Sequence, residues 1–114
     1  MPLLHITTNQ AVDSSRTGDL IRLASSTVAE MLGKPERYVM VRLEHSQDML
    51  FAGSDSPLAY LELKSIGLPG DRTVEFSHAL CELIGQQLEI PTDRIYIEFS
   101  DAARHLWGWN GKTF

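Results

Sequence analysis

The sequence predicts an α+β fold in which a strand–helix–strand unit occurs twice. Three observations predict it: two apolar stripes at helical spacing, an alternating strand after each, and one constant offset between them. Pro35 matches Pro91, Val39 matches Ile95, Val41 matches Ile97, Leu20 matches Phe76, Val28 matches Ile84 and Leu32 matches Leu88, each pair 56 residues apart. An ungapped match through helix and strand in a chain of 114 residues marks an internal repeat, about 2–57 and 58–114 of a single domain.

The opening strand, around Leu3–Thr7, has Ala59–Leu63 as its counterpart. Its facing is ambiguous: the repeat turns His5 inward, whereas the apolar alternation prefers Leu4 and Ile6 there. The first helical stripe is Leu20, Leu23, Ala24, Val28, Met31 and Leu32, and Gly33 and Pro35 terminate it. Val39, Val41 and Leu43 then alternate as a strand. The second helical stripe is Phe76, Leu80, Leu83, Ile84 and Leu88, stopped by Pro91 and followed by Ile95, Ile97 and Phe99. Thr17 and Thr73 are the expected N-caps, with Asp19 and Glu75 placing negative charge in the first turns.

Crossovers of this kind are right-handed, so both helices cover the same face of a four-stranded mixed sheet. The other face then carries Met40, Arg42, Glu44, Tyr60, Glu62, Lys64, Tyr96 and Glu98. A small domain with helices on one side only and such a mixed second face is expected to use it as an interface or a wet channel in an oligomer.

Composition narrows the partners. The formal charge of −5 and the lack of any basic stretch argue against nucleic acid. No apolar run reaches the roughly 18 residues of a membrane-spanning helix, and the start lacks the pattern of a signal peptide. The expected location is the cytoplasm. Cys81 is the only cysteine, so no internal disulfide forms, and its apolar neighbours suit a small buried hydrophobe. His5, His45, His78 and His105 are dispersed without a close pair, so no metal site and no cofactor are expected. No glycine-rich phosphate loop or nucleophile elbow is present.

Pro2 is the remaining candidate for chemistry, although by itself a Met-Pro start marks no more than a trimmed terminus. A small second residue permits removal of the initiator methionine, which would expose proline as a secondary amine able to accept a proton. Beside it stand five blocks: PLLHITTN at the start, GKPERY (Gly33–Tyr38), KSIG (Lys64–Gly67), TDRIYIEF (Thr92–Phe99) and GWNGKTF at the end (Gly108–Phe114). Together, in this order and spacing, they resemble the macrophage migration inhibitory factor family of the tautomerase superfamily, over essentially the whole chain.

The resemblance implies a homotrimer with three sheets around a channel, active sites between subunits, and keto–enol tautomerisation of small substrates such as phenylpyruvate. It implies Pro2 as the base, with Lys34 and Ile66 beside it and Tyr96 entering from the neighbouring subunit. Trp109 and Phe114 would form apolar walls, and Tyr38 would lie near the mouth. It also implies export without a signal peptide, as a cytokine-like role would require.

Elementary chemistry agrees with these roles. An α-amino group has a reference pKa of about 7.7–8.0. An apolar pocket and the charge of Lys34 both disfavour its protonated form. Lys34 can hold the carboxylate of an α-keto acid, and the Tyr96 hydroxyl can donate to the developing enolate.

The chain departs from the family pattern at three places. Glu98 stands where better-known members carry Asn, and an ionised Glu cannot donate to an anionic substrate. Reduced activity on phenylpyruvate, or a less anionic substrate, is the expectation. Leu58-Ala59-Tyr60-Leu61 occupies the position of the Cys-x-x-Cys pair of the mammalian cytokine, which excludes a thiol oxidoreductase activity of that kind. Trp107 replaces a smaller apolar residue and is expected to narrow the pocket. Two alternatives stand beside the tautomerase: a non-catalytic signalling or binding trimer, and another Pro2-dependent reaction such as decarboxylation.

Overall fold

The computed structural model describes every residue, Met1–Phe114. Strand β1 (Leu3–Thr8) leads into helix α1 (Ser14–Leu32) and strand β2 (Met40–Glu44). Strand β3 (Ala59–Ile66), helix α2 (Thr73–Leu88) and strand β4 (Ile95–Ala102) repeat the unit. A hairpin of β5 (Gly108–Trp109) and β6 (Lys112–Thr113) closes the chain. The four long strands form one mixed sheet in the order β2-β1-β3-β4. Each unit contributes a parallel pair, β1 with β2 and β3 with β4, and the units meet where β1 runs antiparallel to β3.

The core lies between the sheet and the two helices. Phe76, Leu80 and Ile84 of α2 and Ala24 and Val28 of α1 are inaccessible to solvent, facing Leu4 and Ile6 of β1 and Leu61 and Leu63 of β3. Truncating a completely buried phenylalanine such as Phe76 to alanine costs about 3–5 kcal/mol, because the transferred area and the residual cavity both count. Leu23 departs from the expected stripe: it is 40% exposed, on the flank of α1 rather than its buried face.

The facing of β1 is settled by burial. Leu4 and Ile6 point inward and His5 points to the open face, where its Nε2 lies 3.1 Å from Glu44. The reason is a one-residue difference between the units. Leu3 sits beside Met40 in the first pair as Tyr60 sits beside Tyr96 in the second, so the first strands correspond at an offset of 57 while helices and second strands keep 56. One residue fewer separates strand and helix in the second unit, and a one-residue slip reverses every side chain of a strand.

The helix starts also differ from expectation. Helix α1 begins at Ser14, with the Asp13 carbonyl accepting from the amides of Arg16 and Thr17 at 2.8 and 3.1 Å. Thr17 is therefore a first-turn residue whose hydroxyl bonds back to the Ser14 carbonyl, and Asp19 lies beyond that turn. In α2, Arg72 is the cap and Thr73 the first helical residue, with Glu75 in the first turn. Both helices end with a left-handed residue, Gly33 in one and Glu89 in the other.

Cys81 is half-buried rather than buried, packed at the edge of the core where α2 faces β4, and desolvation pushes its thiol above the ordinary cysteine range. That argues against a nucleophilic thiol. No helix is long and apolar enough to cross a membrane.

Candidate functional site

The start of β1 is held from both sides. Pro2 is completely buried, and its carbonyl accepts the Met40 amide at 2.9 Å. The antiparallel register pairs Leu3 with Lys64, and continuing it sets Pro2 opposite Ser65 and Met1 opposite Ile66. Ile66, at the end of β3, is buried against this corner rather than exposed in an open pocket. Burial, and then the nearby charge of Lys34, lower the amine of the N-terminus below the ordinary α-amino value. Lys34 follows the left-handed cap Gly33, and its own amide bonds the Ala29 carbonyl, which directs the chain off α1 toward this corner.

Beside the N-terminus opens a cavity of about 240 Å³ lined by nine residues. Met1 forms one side, and Tyr38, Trp107, Trp109 and Phe114 form an aromatic wall. Trp109 stacks on Phe114 with ring centroids 5.5 Å apart, and Tyr38 meets both edge-on at 6.1 Å. The wall comes from two places in the chain. The 3-10 turn Glu36–Tyr38, between α1 and β2, supplies Tyr38, and the terminal hairpin supplies the rest. The hairpin turns at Asn110-Gly111, both at positive φ, the geometry that Asn-Gly provides without strain. Its end is closed by the Phe114 amide bonding the Trp107 carbonyl at 3.2 Å.

The charged side chain of this cavity was not among the expected residues. Arg37 lines it and holds its guanidinium 4.8 Å from the centroid of the Tyr38 ring. Its place inside the GKPERY block, next to Tyr38, was the available signal. Glu36, its other neighbour, lines a separate depression with Ile21, Arg22, Ser25 and Val41.

Tyr96 and Glu98 lie elsewhere in the chain. The register sets Tyr96 level with Tyr60 and Thr7, five residues along β1 and two strands across from Pro2, a separation of roughly 19 Å. Tyr96 is 65% exposed and packs on Phe51 at 4.5 Å, in an apolar hollow with Met49, Leu50 and Tyr60. Arg94 holds that loop by donating to the carbonyls of Phe51, Ser54, Ser56 and Pro57. Glu98 accepts the Tyr60 hydroxyl at 2.6 Å, and this bond is the main reason the Tyr60 phenol is pushed far above its ordinary range. Within one chain, then, the structure brings Lys34, Tyr38, Trp107, Trp109 and Phe114 around the N-terminus and leaves Tyr96 and Glu98 at the far end of the sheet.

Two parallel strand pairs joined antiparallel, with both helices on one face and a buried proline at the head of the first strand, define a tautomerase-superfamily protein. The family described as Macrophage migration inhibitory factor (MIF) matches residues 1–114. The chain is 42% identical over 116 residues to the macrophage migration inhibitory factor homolog of Brugia malayi, covering 100% of this chain and 99% of that one. To the mouse macrophage migration inhibitory factor it is 36% identical over 115 residues with the same coverage. Among solved structures, the homologue from Prochlorococcus marinus superposes with a TM-score of 0.93 at 47% identity, covering 98% of each chain. That from Trichinella spiralis gives 0.90 at 32% identity, covering 98% of this chain and 99% of that one. The chain belongs to the macrophage migration inhibitory factor family.

Proposed function

We propose that this protein is a keto–enol tautomerase acting on aromatic α-keto acids such as phenylpyruvate, with the Pro2 amine as general base once Met1 is removed. The carrying observation is the corner itself: an amine there is desolvated, feels Lys34, and opens onto an aromatic cavity. With Met1 absent, the secondary amine of Pro2 takes over that environment, while the Met40 amide keeps the residue in place. Both influences favour the neutral amine, the form that can remove a proton near neutral pH.

The substrate's ring stacks on the Tyr38, Trp109 and Phe114 wall, with Trp107 closing one side. Its carboxylate pairs with Lys34, which aims the acidic carbon at the Pro2 nitrogen. Pro2 takes the proton, and negative charge moves onto the keto oxygen. The donor for that oxygen is Tyr96 of an adjacent copy in a homotrimer, since the same chain's Tyr96 lies out of reach. Glu98 arrives with it, and its bond to the Tyr60 hydroxyl offsets part of the repulsion that an unpaired carboxylate would impose on an anionic substrate. No cofactor takes part in this proton transfer.

The test couples intact-mass measurement with phenylpyruvate enolisation by wild type and Pro2→Ala. Protein lacking Met1 is expected to be active, and Pro2→Ala to lose at least about 100-fold in kcat/KM, the range of general-base catalysis. Activity retained by Pro2→Ala would overturn the mechanism. Inactive wild type with Met1 shown absent would favour a binding trimer instead.

A further inference from the structure

We infer that Arg37 is a specificity-determining residue, selecting substrates that carry a second anionic group at the end of the ring remote from the keto acid. The inference rests on the tautomerase reading above and deepens it. Of the nine residues lining the aromatic cavity, Arg37 is the one with a charged side chain. The chain as a whole carries a formal charge of −5, so this cation is set against the general sign of the protein. It is also held in place, 4.8 Å over the Tyr38 ring, the arrangement in which a guanidinium gains from the π face and keeps its edge N–H donors free. No hydrogen bond or ion pair to a carboxylate uses those donors: Glu36 turns to the opposite side of the 3-10 turn, beside Arg22. A permanent cation left unpaired at an apolar wall suits a fork-shaped bond to a carboxylate or phosphate.

Position separates its role from that of Lys34. Lys34 acts at the N-terminal amine, the reacting end. Arg37 stands three residues on, at the aromatic side of the cavity. Two cations flanking an apolar slot match a ligand with two anionic ends and a flat body. Phenylpyruvate satisfies the first cation and the wall only. A ring-carboxylated analogue satisfies all three.

The experiment compares phenylpyruvate with 4-carboxyphenylpyruvate by enolisation kinetics and by quenching of Trp107 and Trp109 fluorescence on binding, using protein with Met1 removed. Wild type is expected to favour the carboxylated compound, and Arg37→Gln to lower that preference about tenfold, chiefly through KM, the scale of one charge-assisted bond. Arg37→Lys is expected to recover part of it, and Lys112→Gln, which removes a cation 5.9 Å from the Trp109 ring, to change it less than twofold. An unchanged preference in Arg37→Gln, or an equal drop in Lys112→Gln, would overturn the inference. The fluorescence measurement needs no turnover. A wild type that binds the carboxylated probe selectively but does not enolise either compound would sink the catalytic reading and leave the Arg37 assignment standing.

Discussion

The amide of Met40 donates to the carbonyl of Pro2 at 2.9 Å, so the first residue of β2 anchors the residue that precedes β1. This backbone bond needs no side chain, and it survives any change at the proline nitrogen. It holds Pro2 directly beside the Met1 amine, on which burial and Lys34 act together.

A pH dependence follows. Both causes lower the pKa of the Met1 amine, and the Pro2 amine exposed by removal of Met1 is expected to feel them too, so that its neutral form persists to lower pH than for a free terminus. The acid limb of kcat/KM is therefore expected below the ordinary α-amino range of about 7.7–8.0. Lys34→Gln removes a positive neighbour, which lets the amine hold its proton more readily and moves the limb upward. A limb unmoved by Lys34→Gln would show that burial alone sets the amine. The same variant is expected to raise KM for phenylpyruvate, since the carboxylate loses its partner.

Tyr60 and Glu98 provide a spectroscopic readout. The phenol donates to the carboxylate at 2.6 Å, and ionising it would place two negative charges side by side. Tyr60 is thus expected to remain un-ionised well above the ordinary tyrosine range. In Glu98→Gln the phenol loses its anionic acceptor and returns toward the ordinary value near 10. Absorbance of tyrosinate against pH checks this: wild type should show one fewer early-titrating phenol than Glu98→Gln. Identical curves would mean that the bond does not persist in solution.

Much of this architecture was legible because the repeat preserved periodicity. The stripes Leu20-Ala24-Val28 and Phe76-Leu80-Ile84 needed only the 3.6-residue period, and the strands after them only alternation. His5 was not settled by the repeat, because the strand-to-helix connection differs by one residue between the units and reverses the facing of β1. Thr17 misled because several Ser, Thr and Asp residues precede the stripe, and backbone geometry chose Asp13 over all of them. Pro2, Lys34, Tyr38, Trp107, Trp109 and Phe114 could be named from their blocks, but their convergence could not, since 3-10 turn and hairpin meet only through tertiary packing. Arg37 escaped because an arginine beside a tyrosine carries no signal until its guanidinium is seen over the Tyr38 ring at the cavity wall. The Asn110-Gly111 pair was the overlooked local signal for the hairpin.

The two helix ends make a matched experiment in backbone strain. Gly33 and Glu89 occupy equivalent positions and both are left-handed, with φ of 63° and 56°. A residue with a Cβ pays about 1 kcal/mol in that region, and an acidic side chain at a helix C-terminus adds an unfavourable dipole interaction. Glu89→Gly is expected to stabilise the protein by about 0.5–1 kcal/mol, and Gly33→Ala to destabilise it by a similar amount although no neighbour lies within 4 Å of the added carbon. Denaturant unfolding midpoints read both. Opposite signs at the two ends are the diagnostic result, and a neutral Gly33→Ala would remove backbone strain as the explanation.

Separation of Tyr96 from Pro2 by most of the sheet leads to a prediction about assembly. If the enolate donor comes from an adjacent copy, one catalytic unit draws Pro2 from one chain and Tyr96 from the next. Pro2→Ala and Tyr96→Phe are then each expected to be impaired as homotrimers, the first more severely. Co-expressing the two chains, or mixing them under conditions that let subunits exchange, should produce hybrid trimers. Some of their sites pair an intact proline with an intact tyrosine. With equal, random mixing about a quarter of all sites are of that kind, so activity should rise to about a quarter of wild type. A donor supplied within the same chain predicts no such gain, because every chain then carries one defect in its own site. The rise should also depend on exchange time and vanish when the two trimers are mixed without exchange, which separates true complementation from residual activity of Tyr96→Phe.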